Sequence, residues 1–202
     1  MSHDTIAFPT EGYKGLIFDL DGTLIDSMPA HFEAWCAALA EHGSPGIFPE
    51  DVFYAMGGRP TKDIVEILNG EMNLNLDPDA VSMSKKAAYL EHLDKIEIIA
   101  PVLDFVKANH GKTPMAIATG GSREVAQKVI EKLEIDQYFQ TMVTADDVSC
   151  GKPDPEVFLK AAQAIGIPPE DCVAFEDAAP GILAAQTAGM KVVTVPTQLK
   201  VN

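Results

Sequence analysis

Arginine is almost absent from this chain: Arg59 and Arg123 are the only two in 202 residues. Lysine does not make up the deficit, since 15 basic residues face 30 acidic ones for a formal net charge of −15. Nucleic acids and anionic membranes need basic complements, so neither is expected as a partner. A small anionic substrate is not excluded, because a bound divalent cation can reverse the local field. Cysteine is also scarce. Cys36, Cys150 and Cys172 are widely spaced and odd in number, with no CxxC pair and no Cys/His metal spacing. They read as reduced thiols of a cytoplasmic protein, and no motif around them supports a catalytic thiol. No apolar run approaches membrane-spanning length. The opening Met-Ser-His-Asp has neither a basic region nor an apolar core, so no secretory signal is expected. What remains is an ordinary globular composition, 47% hydrophobic and 22% charged. The length suits one domain with a full core, or a domain plus a small insert, and a monomer is expected.

Five apolar runs read as strands: Gly15 to Phe18, Met115 to Ala118, Met142 to Thr144, Cys172 to Phe175 and Val192 to Val195. Helical patterns separate the later ones, at Glu124 to Leu133, Glu156 to Ile165 and Gly181 to Ala188. Alternation of this kind predicts a Rossmann-like, three-layer α/β core with a parallel sheet. Asp154-Pro155 supplies an N-cap and a first-turn proline, and Gly189 a stop. From Pro29 to Lys95 the pattern changes to helices alone, at Ala30 to His42, Thr61 to Asn69 and Asp79 to Leu93. The expectation is an α/β core of residues 1–28 and 96–202 with an all-helical cap inserted at 29–95. Trp35, with Phe32, Ala34 and Leu39 around it, reads as cap core, and the scattered methionines as core filler.

Four polar stations stand at predicted strand ends or helix starts. Phe18-Asp19-Leu20-Asp21-Gly22-Thr23-Leu24-Ile25-Asp26 follows the first strand, and Thr119-Gly120-Gly121-Ser122 the second. Gly151-Lys152-Pro153-Asp154-Pro155 precedes a helix, and Glu176-Asp177 follows Val173-Ala174-Phe175. In a parallel sheet they fall on one edge and can converge. Two carboxylates as close as Asp19 and Asp21 repel unless one is protonated or a cation intervenes. The pair therefore suits acid–base work, metal binding, or both. The set holds the parts that phosphoryl transfer needs. These are a carboxylate to attack phosphorus, a second acid for the leaving oxygen and oxygen ligands for Mg²⁺. A hydroxyl and a lysine are there for the equatorial oxygens, with loop amides near Gly22 and Gly120 as further donors. Each residue has a plainer reading. Asp19 or Asp21 could cap a turn, Lys152 could be a solvated lysine, and Thr119 or Glu176-Asp177 could cap the next helix. Their order and company favour the chemistry.

On these motifs the chain resembles the haloacid dehalogenase-like hydrolase superfamily over nearly its whole length. DxDGTxxD, the strand-ending Thr119, the GKPxP lysine and the Glu176-Asp177 pair stand in family order. The insert matches the cap of the subgroup with β-phosphoglucomutase and many sugar-phosphate phosphatases, and the layout looks like that of bacterial fructose-1-phosphate phosphatases. The resemblance implies Asp19 as nucleophile and Asp21 as general acid, later the base that activates water. It implies Mg²⁺ on Asp19, the Asp21 carbonyl and Asp177 with Glu176 beside it, and the phosphoryl group on Thr119 and Lys152. Asp26 would steady the motif loop. His31 stands where mutase-like members place a histidine that assists the acid, though it could equally lie on a partly buried helix face. Gly57-Gly58-Arg59-Pro60-Thr61 looks like the cap's specificity loop, with Arg59 able to grip a phosphate or sugar oxygen; a surface turn is the plainer reading. Arg123 reads as an exposed first-turn residue.

The implied activity is Mg²⁺-dependent hydrolysis of a small phosphate monoester, a sugar phosphate, through an aspartyl-phosphate, with cap closure over the sheet edge hinged near Asp26-Pro29 and Ile96-Pro101. A β-phosphoglucomutase-type mutase is the alternative. Against it, such mutases carry a basic residue on a cap helix, and an ungapped reading puts Glu91 there, with Lys85 and Lys86 a turn or more away. Arg59-Pro60 also departs from the mutase loop. A phospho-acceptor switch would share clustered aspartates, a Thr and a Lys, but Asp21 promotes turnover and a receiver lacks the cap. Dehalogenation is disfavoured by Gly22-Thr23 and the Glu176-Asp177 pair.

Overall fold

The computed structural model describes residues 6–56 and 59–196. In chain order the elements are β1 (Gly15–Phe18), β2 (Ile25–Asp26), α1 (Met28–Glu41), α2 (Glu50–Ala55), α3 (Thr61–Met72), α4 (Pro78–Glu91), β3 (Glu97–Ile98), α5 (Ala100–Asn109), β4 (Met115–Ala118), α6 (Arg123–Lys132), β5 (Thr141–Val143), α7 (Glu156–Ala164), β6 (Cys172–Glu176), α8 (Ala179–Thr187) and β7 (Lys191–Thr194). They fall into two compact units. Among the described residues, one unit falls within Ser27–Ile96, and the other holds residues 6–26 and 97–196.

In the α/β unit five strands form a parallel sheet in the order β5-β4-β1-β6-β7. Strand β1 is central, and the chain lays β4 and β5 on one side of it before crossing to β6 and β7. The carboxyl end of β1 is therefore the switch point at which open α/β sheets hold ligands. Phe18 lies opposite both Ile117 and Phe175, so the three middle strands end level. Both faces of β1 are covered, which is why it reads as an unbroken apolar run rather than an alternation. Ile17 faces one way, with Ala116, Ala118 and Ala174, into a cluster with Phe158, Ala161 and Ala185. Alanines there let α7 and α8 approach the sheet closely. Phe18 faces the other way and stacks on Phe175 at 4.6 Å, with Phe105 of α5 5.3 Å from Phe175. Beyond β1, the two-residue strands β2 and β3 pair antiparallel, Ile25 opposite Ile98 and Asp26 opposite Glu97.

The other unit is helical throughout its described residues. Its core is Trp35, Leu39, Phe48, Phe53, Val65 and Leu68 with their neighbours, and Trp35 meets Phe48 edge-on at 5.3 Å. Asp77 caps α4 by accepting the Asp79 amide at 2.9 Å, with Pro78 at the first helical position.

The five sheet strands lie within a residue of their predicted places. Helices α2 and α5 were not anticipated. The first is six residues, too short to show a period, and the second begins around Pro101, which reads as a breaker but sits in the first turn where proline is tolerated. Pro155 rather than Asp154 is the cap of α7, and Asp154 lies one residue outside it, accepting the Glu156 amide at 2.9 Å. Gly189 ends α8 as expected, with Met190 donating back to the Ala185 carbonyl. Met83 and Met72 are not core filler: they are 68% and 42% exposed.

Candidate active site

The site is assembled at the carboxyl edge of the sheet. Asp19 is the first residue past β1, and its amide donates to the Phe175 carbonyl at 3.0 Å, which fixes its backbone against β6. Gly22 then turns the chain at φ +88° and donates to the Ile25 carbonyl at 2.7 Å. A Cβ at Gly22 would have Asp177 Oδ1 at 2.9 Å and the rest of that carboxylate closer still. Glycine is therefore required twice, by conformation and by space. Thr23 is fully buried and donates its hydroxyl to Asp177 Oδ1 at 3.2 Å.

Lys152 ties the stations together. Its ammonium donates to Asp19 Oδ1 at 2.6 Å, Glu176 Oε1 at 2.7 Å and the Ala118 carbonyl at 3.1 Å. The ring of Phe158 lies 5.0 Å from its nitrogen. The loop that carries Lys152 is stitched from several sides. Glu156 accepts the amides of Ser149 and Cys150 at 2.7 and 3.1 Å. Thr144 and Asp147 form a capping box, and Arg123 binds both Asp147 and the Met142 carbonyl. Arg123 is the exposed first-turn residue expected, and it also anchors this loop.

Thr119 follows β4, 1% exposed, and its hydroxyl accepts the Gly121 amide at 3.0 Å. It does not cap α6; that position belongs to Ser122. A Cβ at Gly121 would stand 3.3 Å from Thr119 Oγ1 and 3.9 Å from Asp21 Oδ2, so both side chains border the Gly121 backbone. Gly120 is exposed with open space above its Cα. Asp26 lies in β2, paired with Glu97. Glu176 ends β6 and Asp177 follows it; the second oxygen of Glu176 accepts the Ala178 amide at 2.7 Å.

Burial governs the electrostatics. It pushes the Asp19 carboxyl well above the ordinary aspartate range; Lys152 opposes this, and Glu176 and Asp177 add to it. Burial also works against the Lys152 ammonium, but Asp19 and Glu176 outweigh it and hold that pKa above the usual lysine value. Oxygens of Asp19, Glu176 and Asp177 lie within 4.8 Å of one another. The three carboxyl groups outnumber the one ammonium, a surplus of acidic oxygens that a divalent cation would offset. An all-oxygen set with no sulfur or imidazole suits a hard ion such as Mg²⁺.

In the helical unit His31 stacks on Tyr89 at 4.2 Å, with its Nδ1 3.1 Å from Lys85 Nζ. Arg59 is exposed in the turn before α3. Gly57 and Gly58 lie outside the described residues.

Residues 13–189 match the haloacid dehalogenase-like hydrolase family. The chain belongs to that family. This hydrolase is 40% identical to a fructose-1-phosphate phosphatase of Escherichia coli over 92% of its own length and 97% of the relative's. It is 30% identical to a β-phosphoglucomutase of Bacillus subtilis over 90% of its length and 83% of that protein's. Among solved structures it resembles a family IA, variant 3 hydrolase of Entamoeba histolytica. The TM-score there is 0.79 at 29% identity, covering 94% of this chain and 86% of that one. No helix among the described residues of the hydrolase is long and apolar enough to cross a membrane.

Proposed function

We propose that the protein is a Mg²⁺-dependent phosphatase that hydrolyses a small phosphate monoester, a sugar phosphate, through an aspartyl-phosphate on Asp19. The observation that carries this reading is the buried contact of Asp19 with Lys152 at the end of the central strand, 2.6 Å long and flanked by Glu176 and Asp177. The 40% identical relative named as a fructose-1-phosphate phosphatase supports the substrate class.

An Asp19 carboxylate oxygen attacks phosphorus as the bond to the sugar oxygen breaks, and Asp21 gives that oxygen its proton. Asp21 then takes a proton from the water that attacks the phospho-aspartate, which frees Asp19 and inorganic phosphate. Lys152 and Thr119 offset charge on the equatorial oxygens. Asp19, the Asp21 carbonyl and Asp177 would hold Mg²⁺, with Glu176 beside them; when bound, the ion supplies further stabilisation of phosphoryl charge. We assign residues 29–95 the role of a substrate-selecting cap, through Gly57, Arg59 and His31. Three unpaired cysteines support a reducing, cytoplasmic setting.

A mutase reading draws support from one observation. An ungapped reading puts Glu91 where mutases carry a basic cap-helix residue, but Lys85 on the same helix, in contact with His31, is a candidate for that role. A phosphorus NMR time course separates the two readings. With Mg²⁺ and fructose 1-phosphate, inorganic phosphate should accumulate. With β-glucose 1-phosphate and a trace of glucose 1,6-bisphosphate, accumulation of glucose 6-phosphate would overturn the phosphatase in favour of the mutase.

A further inference from the structure

We infer that Gly181 is a positioning residue of this site: by lacking a Cβ, it opens the notch in α8 that holds the Glu176 carboxylate against Lys152. The inference rests on the phosphatase reading for its consequence, but not for its geometry. Gly181 is buried in the first turn of α8, where its backbone does not require glycine, since its φ is outside the left-handed region. Glycine weakens a helix relative to alanine, so its presence calls for a steric cause. That cause is the Glu176 side chain. A Cβ built on Gly181 would fall on the carboxylate, with even the farther oxygen, Oε2, only 2.8 Å away.

Glu176 cannot give way cheaply. It is 1% exposed, and its two oxygens are committed in different directions, Oε1 to Lys152 at 2.7 Å and Oε2 to the Ala178 amide at 2.7 Å. Displacing it forfeits both bonds and leaves Lys152 with Asp19 and the Ala118 carbonyl. The ammonium then loses one of the two carboxylates that hold it in place beside Asp19. Gly181 therefore acts on the chemistry through Glu176 and Lys152, without touching substrate.

A cycle of Gly181→Ala, Glu176→Ala and the double variant tests this, read by thermal midpoint and by phosphate release from fructose 1-phosphate. Gly181→Ala should lower the midpoint and slow release by at least about 30-fold. Adding Glu176→Ala should remove the clash, bringing midpoint and rate to those of Glu176→Ala alone. If Gly181→Ala fails to fold, recovery of folding in the double variant supports the notch. Unchanged behaviour of Gly181→Ala, multiplying losses, or a double variant that also fails to fold would overturn it. Should the unaltered protein release no phosphate from any sugar phosphate, the functional reading fails, while the midpoints still decide the notch.

Discussion

Asp19 combines two properties that oppose each other, burial and the negative charge that the proposed nucleophile needs, and its neighbours decide the outcome. Because burial holds its folded-state pKa above the unfolded value, its contribution to stability is present at low pH and lost as pH rises through the raised pKa. The metal-free protein should therefore lose stability with rising pH in that window. Mg²⁺ should restore it increasingly, since cation and proton compete for the same oxygens. Thermal midpoints measured across pH with Mg²⁺ or a chelator check this, and a Mg²⁺ effect that grows as pH falls would contradict it. At saturating ion, about 100 times the dissociation constant, the gain should be about 3 kcal/mol. Lys152→Ala leaves Asp19 and Glu176 without the ammonium they share. It should cost the metal-free protein about 3 kcal/mol in denaturant titration. At this scale much was legible: Asp19, Asp21, Lys152 and the Glu176-Asp177 pair announce themselves by local motifs. Thr23 on Asp177 did not, because sheet pairing brings the two together across the chain; Phe158 beside Lys152 and Gly181 against Glu176 are near in sequence, but the turn that folds each helix back onto the preceding residue carries no motif of its own. A glycine in a predicted helix was the one available hint.

Between elements, α7 does two jobs. It covers one face of the sheet, and through Phe158 it places an aromatic ring beside the Lys152 ammonium. Phe158→Ala should destabilise the α/β unit by about 3–5 kcal/mol. Phe158→Leu keeps most of the volume and should cost under about 1.5 kcal/mol while still slowing phosphate release, because it removes the ring face that attracts the cation. Equal activity in Phe158→Leu and the parent would remove Phe158 from the account. The parallel strands were readable because each is an apolar run ended by a turn. The ribbon of β2 and β3 was not, since two residues a strand carry no period. The facing of α4 was also out of reach: which of its residues meet His31 depends on its rotation in the helical unit, and Lys85 and Tyr89 do so.

The whole molecule comprises two units with separate cores, and the one tryptophan, Trp35, lies in the core of the helical unit. Tryptophan emission therefore reports that unit, while far-ultraviolet circular dichroism reports both. The two denaturation curves should not coincide, since units with their own cores need not unfold together; superimposable curves would show that they unfold as one. The net charge of −15 sets a background of self-repulsion that salt screens, so moderate ionic strength should raise both transitions. Composition made the charge visible from the outset. The switch point at β1 was not, because strand order is a property of the folded sheet.

The most direct test of the central claim is acid-quenched mass spectrometry of the protein during turnover of fructose 1-phosphate with Mg²⁺. The expected result is one phosphoryl group on the peptide containing Asp19, absent in Asp19→Asn, whose steady-state turnover should fall by at least about 10³-fold with the fold intact. Phosphate release without any covalent adduct, together with sustained activity in Asp19→Asn, would contradict it.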